Sequence, residues 1–155
     1  MTFNVSSSVQ TNDEDYIKWE PKFKIGISVI DEQHEKLVEL CNEFYKTIVR
    51  EKDKDSYKEK VKETLKKCVD YTATHFNLEE KLMLAAGYED FKNHKNTHDT
   101  FKIKIFEIYE KIDSVNYMDA LNFTRFLYEW ILSHIAHDDK LYLPKIIEFL
   151  KSQKK

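Results

Sequence analysis

Apolar residues in this chain return every third or fourth position over long stretches, and short polar breaks separate those stretches. His34, Leu37, Leu40, Cys41, Phe44 and Ile48 mark the first buried stripe of a helix, which the charged run 50–55 ends near Glu51. Asp31 is its predicted N-cap, with Glu32 and Glu35 in the electropositive first turn. A second helix, capped by Asp55 or Ser56, runs to about Ala86 with Gly87 at its C′ position. Its stripe is Val61, Leu65, Cys68, Thr72 (or Tyr71), His75, Glu79 and Leu82. A third helix from about Phe91 to Ile112 turns His94, His98, Phe101, Ile105, Ile108 and Ile112 inward. After a break at 113–116, a fourth from Tyr117 to about Asp138 shows Leu121, Phe123, Leu127, Trp130, Ile131 and His134. A last short helix begins near Pro144.

Ahead of these helices, Trp19 to Ile30 holds Pro21 and Gly26 and alternates loosely. It is the predicted extended arm, packing Trp19, Phe23 and Ile27 onto one end of the helices. Residues 1–15 are rich in Ser, Thr, Asn and Asp and are expected to form a mobile tail, leaving one domain over 16–151. Four helices with short connections specify an all-α, up-down-up-down antiparallel four-helix bundle, with an N-terminal arm and a short C-terminal helix.

Direction then matters. His34 lies near the start of the first helix, His75 and Glu79 near the end of the second, His94 and His98 near the start of the third, and His134 near the end of the fourth. Successive helices alternate in direction, so all these positions fall at one end of the bundle. Cys41 is one heptad after His34 and Cys68 one heptad before His75, so the two cysteines should face each other just below that level as reduced core thiols.

Composition narrows the function classes. Two Gly and two Pro in 155 residues favour long helices and short loops. Charged residues are 34 % of the chain, yet the net charge is −3, and no basic stripe marks a nucleic-acid binder. No apolar run approaches the roughly 20 residues of a membrane span. The polar N-terminus lacks a secretory core, and two cysteines make no disulfide framework, so a cytoplasmic protein is expected. The exposed faces show no obvious apolar stripe, and a monomer is the favoured expectation.

Five imidazoles buried at one level without partners would leave many unsatisfied nitrogens, each costing on the order of 1–3 kcal/mol. Metal coordination removes that cost. His137, three past His134, receives no ligand role. Among nearby carboxylates, Glu79 shares a face with His75, whereas Glu80 is turned about 100° away. Asp139 lies five past His134, and spacing alone does not choose between it and Asp138. Five imidazoles and at least two carboxylates exceed what one tetrahedral zinc takes, and suit two six-coordinate first-row ions bridged by carboxylates. No Glu-x-x-His, the signature of oxidase-type di-iron bundles, occurs in the chain. A histidine-rich, carboxylate-poor site favours ferrous iron over high-valent states.

The segments Ile30-Asp31-Glu32-Gln33-His34, His75-Phe76-x-x-Glu79-Glu80-x-Leu82-Met83, His94-x-x-x-His98 and His134-Ile135-x-x-x-Asp139-Lys140 together resemble the hemerythrin family, in its single-domain bacterial form. The resemblance covers about residues 16–143. It implies two non-haem iron ions cycling between Fe2+ and Fe3+, one on His94, His98 and His134 and the other on His34 and His75. Glu79, Asp139 and an oxo or hydroxo group would bridge them. The resemblance, unlike spacing, selects Asp139. It also implies reversible dioxygen binding at the iron with two histidines, in a pocket lined by Leu37, Phe76, Trp130, Ile131 and Ile135. Ile131 stands where the family often has leucine. The expected role is oxygen storage, transport or delivery rather than enzymatic turnover. The competing readings are a di-iron enzyme or sensor handling peroxide or nitric oxide, and iron storage.

Overall fold

The computed structural model describes residues 15–154, and among them every regular element is helical. Most of the expected mobile tail, 1–14, lies outside the described residues, while Asp15 pairs its carboxylate with Lys46 Nζ at 2.7 Å. Helices α1 (Ser28–Glu51), α2 (Tyr57–Ala86), α3 (Phe91–Lys111) and α4 (Tyr117–Ser133) form the antiparallel bundle. A π-helical turn (His134–Asp138), the short α5 (Asp139–Leu141) and α6 (Leu143–Ser152) follow.

Local chemistry sets the ends of each helix. α2 stops at Gly87, whose φ of 69° is left-handed, and the next amide, Tyr88 N–H, donates to Met83 O at 2.9 Å. Ser56 precedes α2 but makes no side-chain cap; its hydroxyl donates instead to Glu51 Oε2 at 3.1 Å. Asn116 caps α4, its Oδ1 accepting from the Asp119 amide at 2.8 Å.

The start of α1 departs from the sequence reading. The helix opens at Ser28, so Asp31 lies inside the first turn rather than at the N-cap. Its carboxylate reaches back past the N-cap Ile27 and accepts from the amides of Ile25 (2.7 Å) and Gly26 (3.1 Å). Gly26, at φ 97°, permits the bend that points both amides at one side chain.

The arm is less uniform than expected. A 3-10 turn occupies Pro21–Phe23, and period-two burial of Phe23, Ile25 and Ile27 follows it. Just upstream of it the chain lies along the bundle: Asn42 accepts from Ile17 N–H (3.0 Å), donates to Ile17 O (2.7 Å) and accepts from Tyr128 O–H (2.5 Å). Ile17 and Phe23 join the main core with Phe44, Ile48, Leu65 and Leu127. Ile25, Ile27 and Ile30 instead join Met83, Tyr142 and Ile146 in a second cluster that closes the bundle end where the histidines collect. Met83, not the expected Leu82, is the fully buried residue there, because α2 faces α6 as well as the bundle axis at its last turn.

In the main core, Cys41 and Cys68 are free, buried and in contact, as the helix register requires. Cys68 Sγ donates to Leu40 O at 3.3 Å, and burial first, then each other's proximity, pushes the Cys41 thiol well up.

Candidate metal centre

Four helices converge on one set of buried donors. α1 delivers His34 two turns from its start, α2 His75 and Glu79 one turn apart near its end, and α3 His94 and His98 one turn apart near its beginning. His134 and Asp139 come from the far end of α4 and the turn beyond it. All seven residues are buried, five of them completely.

Their donor atoms sort into two groups, each compact enough to hold one cation. One is Glu79, His94, His98, His134 and Asp139; the other is His34, His75, Glu79 and Asp139. Glu79 and Asp139 belong to both. Glu79 Oε1 touches His75 Nε2 and lies 3.2 Å from His134 Nε2. Asp139 Oδ2 lies 2.7 Å from His34 Nε2, and its Oδ1 lies 2.8 Å from His134 Nε2 and 3.2 Å from His94 Nε2. Each carboxylate therefore faces the histidines of both groups.

The π turn explains how Asp139 gets there. On an α-helix five residues turn the side chain about 140° away from the starting face. Here the Asp139 amide donates to His134 O, an i→i+5 bond that widens the turn and brings both side chains inward. The helix ends in an ordered π turn, and α4 itself stops at Ser133 rather than the expected Asp138. His137 is exposed on the same turn.

The fit to metal rests on atoms the protein leaves unmatched. His34 Nε2, His75 Nε2, His94 Nε2, Glu79 Oε2 and both Asp139 oxygens are buried without a properly directed hydrogen bond. His98 Nε2 and His134 Nε2 point at each other across 3.2 Å, where at most one can donate. Cations placed among these lone pairs would satisfy them together, and the imidazole and carboxylate donors suit first-row divalent ions.

A second layer fixes two of the imidazoles. His75 Nδ1–H donates to Gln33 Oε1 at 2.7 Å, and His98 Nδ1–H to Glu80 Oε2 at 2.8 Å. Each bond leaves the Nε2 lone pair aimed at the centre. Glu80, turned off the His75 face of α2, is thereby turned toward α3, a role that helical spacing within one helix does not reveal. His134 Nδ1 has Asp138 Oδ2 at 3.7 Å.

Rings wall the centre. Phe76 lies flat on His98 (centroids 3.8 Å, planes 2° apart), and Trp130 on His134 (4.9 Å, 14°) and on Phe101 (3.8 Å, 10°). Leu37, Phe76, Ile131 and Ile135 are buried and Trp130 half-buried, so all five expected pocket residues are on the inner side of the bundle. Tyr142, which the helical stripes pass over, is also completely buried, with its ring 5.5 Å from that of His94.

Proton affinities set by the protein groups alone show a tightly coupled cluster. Burial pushes Glu79 upward, but the adjacent His75 and His134 outweigh it and hold the carboxyl well below its usual range. Asp139 is raised by burial and by Glu79, yet His134 and His34 bring it down overall. Burial lowers His94, and bonds to Asp139 and Glu79 more than reverse this, lifting it to about 9. His134 is lifted well above its usual value by the two carboxylates despite its burial. His98, desolvated and facing His134, falls to about 3. Positive charge is held where the carboxylates are, which is where a cation would sit.

No helix among the described residues is long and apolar enough to cross a membrane. A family profile described as the hemerythrin HHE cation binding domain matches residues 25–146, the span that contains all seven donors. A bacteriohemerythrin of Clostridium acetobutylicum is 32 % identical over 128 residues, covering 81 % of this chain and 97 % of that protein. One of Stenotrophomonas maltophilia is 31 % identical, covering 83 % and 80 %. The crystal structure of a wild-type hemerythrin superposes with a TM-score of 0.72 at 28 % identity, over 84 % of this chain and 97 % of that one. The bundle, the cation cluster and these matches agree: the chain belongs to the hemerythrin family.

Proposed function

We propose that the cluster is a carboxylate-bridged site for two non-haem irons and that the protein binds dioxygen reversibly in the cytoplasm. The observation that carries this reading is the sharing of Glu79 and Asp139 between two donor groups, one with three histidines and one with two. A single-ion site has no use for that overlap. On this reading His94, His98 and His134 would hold one iron, His34 and His75 the other, and Glu79 and Asp139 would serve both. The iron pair, when bound, supplies the electrons that a dioxygen ligand accepts and returns.

The chain's own residues determine whether that exchange stays reversible. Gln33 and Glu80 hold the His75 and His98 rings with Nε2 directed inward. The two-histidine group offers fewer donors, so it is the side with room for a ligand. Leu37, Phe76, Ile131 and Ile135 add no polar side-chain atom to the walls of the centre, and Phe76 and Trp130 turn their ring faces to His98 and His134. Such a lining excludes water and the protons that would turn bound dioxygen into released peroxide. The reading therefore favours a carrier or store over an enzyme, which needs a proton route into the same space.

Anaerobic loading with ferrous iron, exposure to dioxygen and evacuation test this directly. A visible absorption band that appears with dioxygen and disappears under vacuum over repeated cycles supports it. Rapid one-way conversion to ferric protein with peroxide in solution contradicts it.

A further inference from the structure

The geometry points to Tyr142 as a positioning residue: its hydroxyl donates to Glu79 Oε2 in the metal-loaded protein, fixing the bridging carboxylate and tying the first turn of α6 to the centre. The inference rests on the metal-centre reading above and extends it to a residue outside the seven donors.

Two unmatched groups carry it. Tyr142 is completely buried and its Oη has no hydrogen-bond partner, and Glu79 Oε2, also buried, has none. The Glu79 carboxylate is among the groups that surround the Tyr142 hydroxyl. Both flank one imidazole: Glu79 Oε2 lies 3.6 Å from His94 Nε2, and the Tyr142 ring packs 5.5 Å from the His94 ring at 50°. Tyr88, at 6.4 Å and 81°, packs edge-on against Tyr142 and limits where the ring can go.

The chemistry is asymmetric. Glu79 Oε1 is already surrounded by His75 and His134, whereas Oε2 has an imidazole at a distance and no hydrogen-bond donor. An oxygen that gives one lone pair to a metal keeps a second, and a neutral phenol is a donor suited to it. With that bond made, the carboxylate is held in its bridging orientation as the His rings are held by Gln33 and Glu80.

Tyr142 is also where the chain turns into α6. Its carbonyl accepts from the amides of Lys145 and Ile146, each at 3.1 Å. Ile146 then packs with Met83, Ile25 and Ile30. One residue thus joins Glu79, the first turn of α6 and the apolar closure of the bundle end, so loading the centre should firm α6.

Wild type and Tyr142→Phe, each loaded anaerobically with ferrous iron, provide the test; the variant keeps the ring and its packing and lacks only the hydroxyl. Iron per chain, release of iron to a chelator and amide hydrogen exchange over 146–150 are measured. Wild type should gain protection in α6 on loading, and the variant should lose most of that gain and release iron about tenfold or more faster. Equal release and equal gain in two fully loaded proteins would overturn the inference and leave the metal site standing. A wild type that takes up no iron would overturn both. One measurement needs no variant: zinc-loaded wild type should show a slowly exchanging tyrosine hydroxyl proton by NMR, and its absence would also overturn the inference.

Discussion

Metal uptake by this centre must expel protons, and its pH dependence can be worked out from the groups present. His94 is held at about 9 and His134 well above its usual value, whereas His98 lies at about 3 and both carboxyls are lowered. Near neutral pH, His94 and His134 each carry a proton that a metal must displace, and Glu79, Asp139 and His98 carry none. Every displaced proton raises log affinity by one per pH unit, a factor of ten or about 1.4 kcal/mol. Two protons predict a slope of about two from roughly pH 6 to 8.5, easing toward one once His94 loses its proton near 9. Competition of zinc or cobalt against a chelator across that range gives the slope. Calorimetry in buffers of different ionisation heat counts the protons directly. A flat affinity with no proton release would refute the reasoning, because it would mean the imidazoles are already neutral. The sign reverses for the protein stripped of metal. A histidine raised by its partners stabilises the fold fully below about 6.5 and ceases to as pH climbs through about 9. The lowered carboxyls stabilise above their ordinary range near 4 and cease to on acidification. His98, lowered to about 3, makes the fold lose stability as pH falls below about 6.5, so metal-free protein should be most stable near pH 6.5, with the loaded form pulling further ahead as pH rises.

Four other substitutions test separate parts of the account. Removing Gln33 or Glu80 as Ala should weaken metal binding about 10- to 100-fold while leaving the helical spectrum intact, by chelator competition; unchanged affinity would show that the rings orient themselves. Asn42→Ala strands the Ile17 amide and carbonyl and the Tyr128 hydroxyl, and should cost about 2–4 kcal/mol in urea unfolding with faster proteolysis near Ile17. A loss under about 0.5 kcal/mol would mean that water replaces those bonds. Gly87→Ala meets no atom within 4 Å, so its cost is the left-handed backbone alone, about 1–2 kcal/mol; a neutral result would show that the turn relaxes to another conformation.

The parts legible in the sequence were those that helical period and the alternating direction of successive helices determine. The ends of α2, the meeting of Cys41 with Cys68 and the common level of His34, His75, His94, His98 and His134 all follow from period 3.6 and alternating direction. What escaped is set between elements. Asp139 was ambiguous with Asp138 because α-helical spacing directs it away from His134, and the π turn that reverses this has no compositional signal. Glu80 is turned off the His75 face, and its partner, His98, is on another helix. Tyr142 lies past the last regular stripe and becomes visible only once α6 folds back over α2. Asp31 has the chemistry of a cap, yet it serves Ile25 and Gly26 from within α1, since the apolar arm lets the helix begin one turn earlier.

The central claim is that seven residues hold two unlike irons through shared carboxylates, and Mössbauer spectroscopy of protein reconstituted anaerobically with 57Fe, alongside iron analysis, addresses it most directly. The account predicts two irons per chain in two equal populations, one for the three-histidine group and one for the two-histidine group. Replacing Glu79 with Ala should lower the stoichiometry. A single iron per chain in wild type, or two irons retained without Glu79, would contradict it.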